Sequence, residues 1–270
     1  MKQLLEKAIQ AAIEAGKAIM EVYATEFDIE TKEDNSPLTR ADTRANEIIT
    51  RMLEPSNLPV VSEEGKSIPY HKRETWQRFW LIDPLDGTKE FINRNNEFTV
   101  NIALIDQGKP VMGIVYAPVM DLLYFSDQHG AWKKEQASAD TLLLSDADNL
   151  KPVSLRLPLS NHSSGYTIVA SRSHLNAQTT TFINQVKREH SEIRIISRGS
   201  SLKLCMIAEG LADVYPRFGI TSEWDIAAGH ALIIAAGGKV VSAEGNNELS
   251  YNTPGMENPP FIAYAATSNA

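Results

Sequence analysis

The chain has 270 residues, 43% of them apolar and 22% charged, the balance of an ordinary soluble globular protein built as one large domain or two close lobes. Twenty-six Lys and Arg stand against 34 Asp and Glu, a formal charge of −8. That sign disfavours binding to nucleic acid without excluding a nucleotide-sized ligand in one local pocket. One cysteine, Cys205, excludes an intrachain disulfide framework and any Cys-rich zinc or iron–sulfur site, and it fits a reducing compartment. The first residues hold no apolar signal region, and no run approaches about 18 apolar residues, so a soluble cytoplasmic protein without a transmembrane segment is expected.

Leu5, Ile9, Ala12, Ile13, Ile19, Met20 and Tyr23 recur at helical spacing and predict an amphipathic helix over 2–23. The polar stretch 32–37 is a loop, and Thr39 with Asp42 resembles a capping box opening a second helix. Short strands follow at 59–62, running into Glu63 and Glu64, and at 79–82, ending on Asp83, with the chain expected to turn at Pro84. From Phe98 to Trp132 the pattern is a β-meander, with a turn at Gly108-Lys109-Pro110. Residues 135–165 are rich in Ser, Asp and Pro and mark the best lobe boundary, which divides the chain into 1–150 and 151–270. Beyond it α/β alternation resumes: strands near 167–170, 193–196, 213–218, 239–242 and 261–265, and helices over 175–189, 200–209 and 224–236. The sum is a mixed α/β protein in which helices pack on sheets.

The most informative segment is Trp80-Leu81-Ile82-Asp83-Pro84-Leu85-Asp86-Gly87-Thr88-Lys89-Glu90-Phe91. A buried strand delivers two carboxylates three residues apart, and Gly87-Thr88 then opens a helix whose first N–H groups suit an anion. Two acids beside those groups would repel a phosphate unless cations lay between, so divalent metal plus phosphate is the sensible content. Hard oxygen ligands select Mg²⁺ or Mn²⁺ over zinc. Asp-Pro and Asp-Gly are also ordinary turn dipeptides, and either alone would be read that way. Two further acid sites weaken that reading: Glu63-Glu64 at a strand end, and Asp225 in the first turn of an Ala-rich helix. Separately these could be an edge charge pair and a helix-dipole partner.

Asp83-Pro84-Leu85-Asp86-Gly87-Thr88, with Glu63-Glu64 upstream and Trp224-Asp225-Ile226-Ala227-Ala228-Gly229 downstream, resembles the inositol monophosphatase superfamily of Mg²⁺-dependent, lithium-sensitive phosphatases. Segments 34–42, 85–92, 171–174, 199–203 and 215–219 are most similar to its 3′(2′),5′-bisphosphate nucleotidase branch. The resemblance implies a layered α-β-α-β-α sandwich. It implies metal ligation by Glu63, Asp83, Asp86, Asp225 and the backbone carbonyl of Leu85, with two or three Mg²⁺ per site. Thr88, with Asp42 or Glu63, would orient the attacking water. The substrate would lie against the metal site and Gly87, and beyond it against His174, Ser200, Lys203 and Arg217. Some relatives sit at the cytoplasmic face of the inner membrane, although no basic amphipathic helix or lipid motif here gives a physical reason for that.

No Ser/His/Asp or Cys/His set and no Gly-x-Ser-x-Gly elbow is evident, so no covalent nucleophile is needed. Gly199-Ser200-Ser201-Leu202-Lys203 could hold a second phosphate or a ribose, or it could be an ordinary helix capped by Ser200. Arg217 suits a bidentate phosphate contact, or a solvated strand edge. Cys205 reads as a small buried hydrophobe, and Trp76 and Trp80 as packing residues. The leading expectation is hydrolysis of adenosine 3′,5′-bisphosphate to AMP and phosphate, with activity on its sulfated relative. The alternatives are an inositol or sugar phosphatase, or a non-catalytic ligand-binding protein on the same scaffold.

Overall fold

The computed structural model describes residues 1–31, 37–139, 146–159, 165–171 and 176–266. In chain order the elements are α1 (Lys2–Tyr23), β1 (Ile29–Thr31), β2 (Pro37–Thr39), α2 (Arg40–Leu53), β3 (Val60–Ser62), α3 (Tyr70–Arg73), β4 (Arg78–Asp86) and α4 (Thr88–Ile92). A meander follows: β5 (Thr99–Asp106), β6 (Lys109–Ala117), β7 (Leu122–Asp127) and β8 (Gly130–Glu135). Then come α5 (Ala147–Leu150), β9 (Leu155–Leu157), β10 (Tyr166–Ser171), α6 (Ala177–Glu189), β11 (Ile193–Arg198) and α7 (Leu202–Glu209). The chain finishes with β12 (Val214–Arg217), β13 (Thr221–Ser222), α8 (Glu223–Ala235), β14 (Lys239–Ser242), β15 (Glu257–Asn258) and β16 (Phe261–Tyr264).

Strands β3 to β9 form one seven-stranded sheet in sequence order, antiparallel except for the parallel β3–β4 pair. A five-stranded sheet has the order β11-β10-β12-β16-β14. The apolar stripe of α1 and Ala45, Ile49 and Leu53 of α2 cover one face of the larger sheet through Trp80, Ile82, Val100, Ile102 and Leu104. Its other face presents Phe79, Leu81, Ala103 and Ile105 to α7 and α8, which pack in turn on the smaller sheet through Val169, Tyr215 and Ala263. Helix α6 closes the far side through Ile183 and Val186 against Ile168 and Val214. The layers are therefore α-β-α-β-α, as the family resemblance implied.

Burial on both faces explains why β4 and β5 are almost unbroken apolar runs rather than alternating ones. The close seating of α8 depends on Gly113 in β6, where an added Cβ would collide with the Ala228 carbonyl. The expected boundary near residue 150 falls before β9, which pairs with β8 in the larger sheet. No described helix is long and apolar enough to cross a membrane.

Candidate active site

β4 does not stop at Asp83. It runs through Pro84 to Asp86, correcting the expected turn, because the missing Pro N–H falls at a break in pairing. Asp83 pairs with Asn101 and Asp86 with Thr99, so three steps on β4 oppose two on β5. One extra residue reverses the side-chain alternation. Leu85 accordingly joins the α1–α2 core, while Asp83 and Asp86 both face the α7–α8 layer. Gly87 follows at φ 95, a left-handed turn that lets α4 begin at Thr88.

Three other elements bring acids to this point. Glu63 extends β3, its N–H donating to the Ile82 carbonyl at 3.2 Å. The α2 capping box is present: Asp42 Oδ2 accepts from Thr39 N at 2.8 Å and from Thr39 Oγ1 at 2.6 Å. Its Oδ1 accepts from the Thr88 hydroxyl at 3.2 Å, with the Leu85 carbonyl 3.4 Å from the same hydroxyl. Asp225 caps α8, accepting from Ser222 N at 3.0 Å.

The electrostatics are unbalanced. Asp83 is 1% exposed, and its side chain accepts from Leu85 N at 3.1 Å. Burial pushes its carboxyl well above the usual range, and the charges of Glu63, Asp86 and Asp225 push it further. Burial likewise raises Asp225 to about 8, with Asp86 and Glu63 adding to the shift. Asp86 is raised by burial but pulled back by the Lys203 charge and by hydrogen bonds from Ser201 and Asn101. As placed, no three His, Cys, Asp or Glu side chains among the described residues converge tightly enough to ligate one ion. The donor chemistry nevertheless fits a hard divalent cation: every group is oxygen, and the shared electrostatic cost is the one a cation relieves.

A cavity of about 140 Å³ joins this cluster to the second half of the chain, lined by Asp86, Asp225, Ser200, Lys203, Arg217 and Tyr215, among others. Lys203 is 8% exposed, its Nζ donating to the Ser200 carbonyl at 2.6 Å, and burial lowers its pKa. Arg217 Nη2 donates to the Ile220 carbonyl at 3.2 Å, while Nε is buried without a partner among the described residues. Ser200 does not cap α7. It sits at φ 43, and the N-cap residue is Ser201, whose hydroxyl caps nothing. The Ser-cap alternative is thereby overturned: the serine hydroxyls serve Thr99, Asp86 and the Asp225 carbonyl instead. His174, the loop 32–36 and the apolar island 142–144 lie outside the described residues. Cys205 is 1% exposed and burial pushes its thiol up, as a packing residue requires; Trp80 is fully buried, and Trp76 packs on the core.

Sequence reasoning missed Asn101 and Glu97, and it read Ser201 only as part of a phosphate or ribose cradle, whereas its hydroxyl bonds Asp86 and the Asp225 carbonyl. Asn101 had a signal, a lone amide inside the apolar run of β5. Glu97, whose Oε2 accepts from Gly199 N at 2.8 Å, had none.

The sequence profile of the inositol monophosphatase family matches residues 1–267, and the chain belongs to that family. It is 47% identical over 265 residues to the 3′(2′),5′-bisphosphate nucleotidase CysQ of Salmonella typhimurium, covering 96% of this chain and 98% of that one. It is 46% identical to the protein of the same name from Escherichia coli K12, covering 90% and 92%. The crystal structure of CysQ from Bacteroides thetaiotaomicron superposes with a TM-score of 0.87 at 43% identity, covering 97% of each chain. Membership of this family implies metal-dependent catalysis.

Proposed function

We propose that this protein hydrolyses the 3′-phosphate of adenosine 3′,5′-bisphosphate to give AMP and phosphate, and acts on the sulfated relative as well. The observation that carries the reading is the cavity shared by Asp86 and Asp225 on one side and Lys203 and Arg217 on the other. A buried guanidinium nitrogen with no partner costs free energy unless an anion completes it. A substrate with a second phosphate supplies that anion, whereas inositol 1-phosphate has none to spare. The names of the relatives at 46–47% identity agree with this choice.

Glu63, Asp83, Asp86, Asp225 and the Leu85 carbonyl would hold two or three Mg²⁺, with Mn²⁺ as a substitute. When bound, these ions lower the pKa of the attacking water and neutralise charge developing on the phosphoryl group. The chain's own residues set the direction of attack. Thr39 immobilises Asp42, so Asp42 Oδ1 is a fixed acceptor for the Thr88 proton. The Thr88 oxygen is then left to accept a proton from a water and so direct the water's own lone pair at phosphorus, with Glu63 alongside as a further acceptor. Ser200, Lys203 and Arg217 hold the non-reacting phosphate, and Gly87 lets the backbone approach the reacting one. His174 would stack on or hydrogen-bond the base, as the family resemblance implies.

Phosphate release from adenosine 3′,5′-bisphosphate and from inositol 1-phosphate, each with Mg²⁺, with EDTA and with added Li⁺, tests this directly. Faster Mg²⁺-dependent turnover of the nucleotide, suppressed by Li⁺, is expected. Preference for the inositol ester overturns the substrate, and no release from any phosphomonoester leaves a binding protein.

A further inference from the structure

Asp86 commits one carboxylate oxygen to the protein. Its Oδ2 lies 2.8 Å from Ser201 Oγ and 3.3 Å from Asn101 Nδ2, whereas Oδ1 has no hydrogen bond among the described residues. Neither partner is free to swing. Asn101 is 1% exposed, and its Oδ1 accepts from Thr99 Oγ1 at 3.0 Å, which orients the amide so that Nδ2 faces Asp86 and, at 2.9 Å, Ser201 Oγ. Ser201 is 3% exposed, and its Oγ also lies 2.8 Å from the backbone carbonyl of Asp225. A hydroxyl has one proton to give and can accept from Asn101 meanwhile. That proton is therefore shared between Asp86 and the first turn of α8, where Asp225 sits.

The turn that delivers Ser201 is over-determined. Ser200 adopts φ 43, a left-handed region that is strained for a non-glycine residue. Lys203 Nζ fastens its carbonyl at 2.6 Å, and Glu97 fastens the preceding Gly199 N–H at 2.8 Å. Ser201 stands at the N-cap of α7, where a serine hydroxyl ordinarily bonds the helix's own N–H groups, yet it makes no such bond.

We propose that Ser201 and Asn101 are positioning residues for the metal site. By saturating Oδ2 of Asp86 they leave Oδ1 as the oxygen offered to the cation, and by sharing the Ser201 proton with the Asp225 carbonyl they hold the spacing between ligands from opposite ends of the chain. This rests on the reading of Asp86 and Asp225 as ligands.

Mn²⁺ binding to the full chain, followed by the electron paramagnetic resonance signal of the free ion, tests it in wild type, Ser201→Ala, Asn101→Ala and Asp86→Asn. The two positioning variants are expected to bind Mn²⁺ about 10- to 100-fold more weakly. Their nucleotide KM at saturating Mn²⁺ should stay within a few-fold of wild type, a split that general loosening of the fold would not produce. Ser201→Ala removes buried hydrogen bonds but no helix cap, and it leaves Asn101 Nδ2 its contact with Asp86. It should therefore fold in EDTA with melting lowered by no more than several degrees, and it carries the test alone if Asn101→Ala does not fold. Wild-type affinity in Ser201→Ala, with affinity lost in Asp86→Asn, overturns the positioning role and leaves the site standing. Wild-type affinity in Asp86→Asn overturns the site itself.

Discussion

Two buried acid sites flank the start of α8, and they are built in opposite ways. Glu223 is fully buried, and every neighbour compensates it. Thr253 donates from N at 2.8 Å and from Oγ1 at 2.6 Å to one oxygen, and Asn252 N donates at 2.7 Å to the other. Arg73, 3% exposed, stands close by and donates to Asn252 Oδ1 and to the Thr253 and Pro254 carbonyls. Burial raises the Glu223 carboxyl, but each of these partners pulls it back. Asp225, two residues on, is raised by burial and raised again by Asp86 and Glu63, with only the Ser222 N–H and the Arg217 charge pulling it back. A buried charge that serves the fold meets donors and an opposite charge. A buried charge kept among like charges, as Asp225 is, carries a cost that a cation would relieve, which is what the proposed ligand role requires.

The sharpest way to break this contrast is Asp83→Asn. It is expected to lower Mg²⁺-dependent phosphate release by about 10³-fold or more, while removing repulsion so that melting in EDTA stays level or rises. Retained activity would place Asp83 outside the site. Glu223→Gln should do the reverse. An amide nitrogen facing the Asn252 and Thr253 N–H groups costs about 2–4 kcal/mol. That lowers the melting temperature by several degrees with and without Mg²⁺, and turnover per folded molecule stays within a few-fold. Unchanged melting would show that the 252–254 loop is not held through Glu223.

A smaller effect separates the two sites by pH. Asp83, Asp86 and Asp225 have folded pKa values above their unfolded ones, so their contribution is fully present below about pH 4. It is lost as pH rises through the folded values, for Asp225 about 8. Stability in EDTA should therefore decline on this account from pH 5 to 8, and the rise in melting temperature caused by Mg²⁺ should grow over the same interval. A Mg²⁺ increment independent of pH would show that these carboxyls are not the groups the cation meets.

Much of the site was legible because its signals are local. The Thr39–Asp42 box, the Asp83-to-Thr88 string and the acid in the first turn of α8 each lie within a few residues, and the structure contains each cap. What was misread lay where a local rule met tertiary pairing. Pro84 looked like a turn because proline lacks a donor, yet β5 accommodates it by a register shift. Ser200 looked like a cap because serine favours helix starts, yet the chain is pinned by Lys203, Glu97 and Thr99 into a different conformation.

From its residue order alone this chain determined its main helices and strands and its mixed α/β class, since periodicity, capping and turn chemistry act over short separations, whereas the layer order and the grouping of the carboxylates followed only from the family resemblance. Only the folded structure decided how those carboxylates face one another. One inserted residue in β4 turns Asp83 and Asp86 to the same side, and Ser201, from beyond residue 200, reaches back to hold one of them. Those relations depend on side-chain facing and on contacts between remote segments, neither of which spacing along the chain encodes.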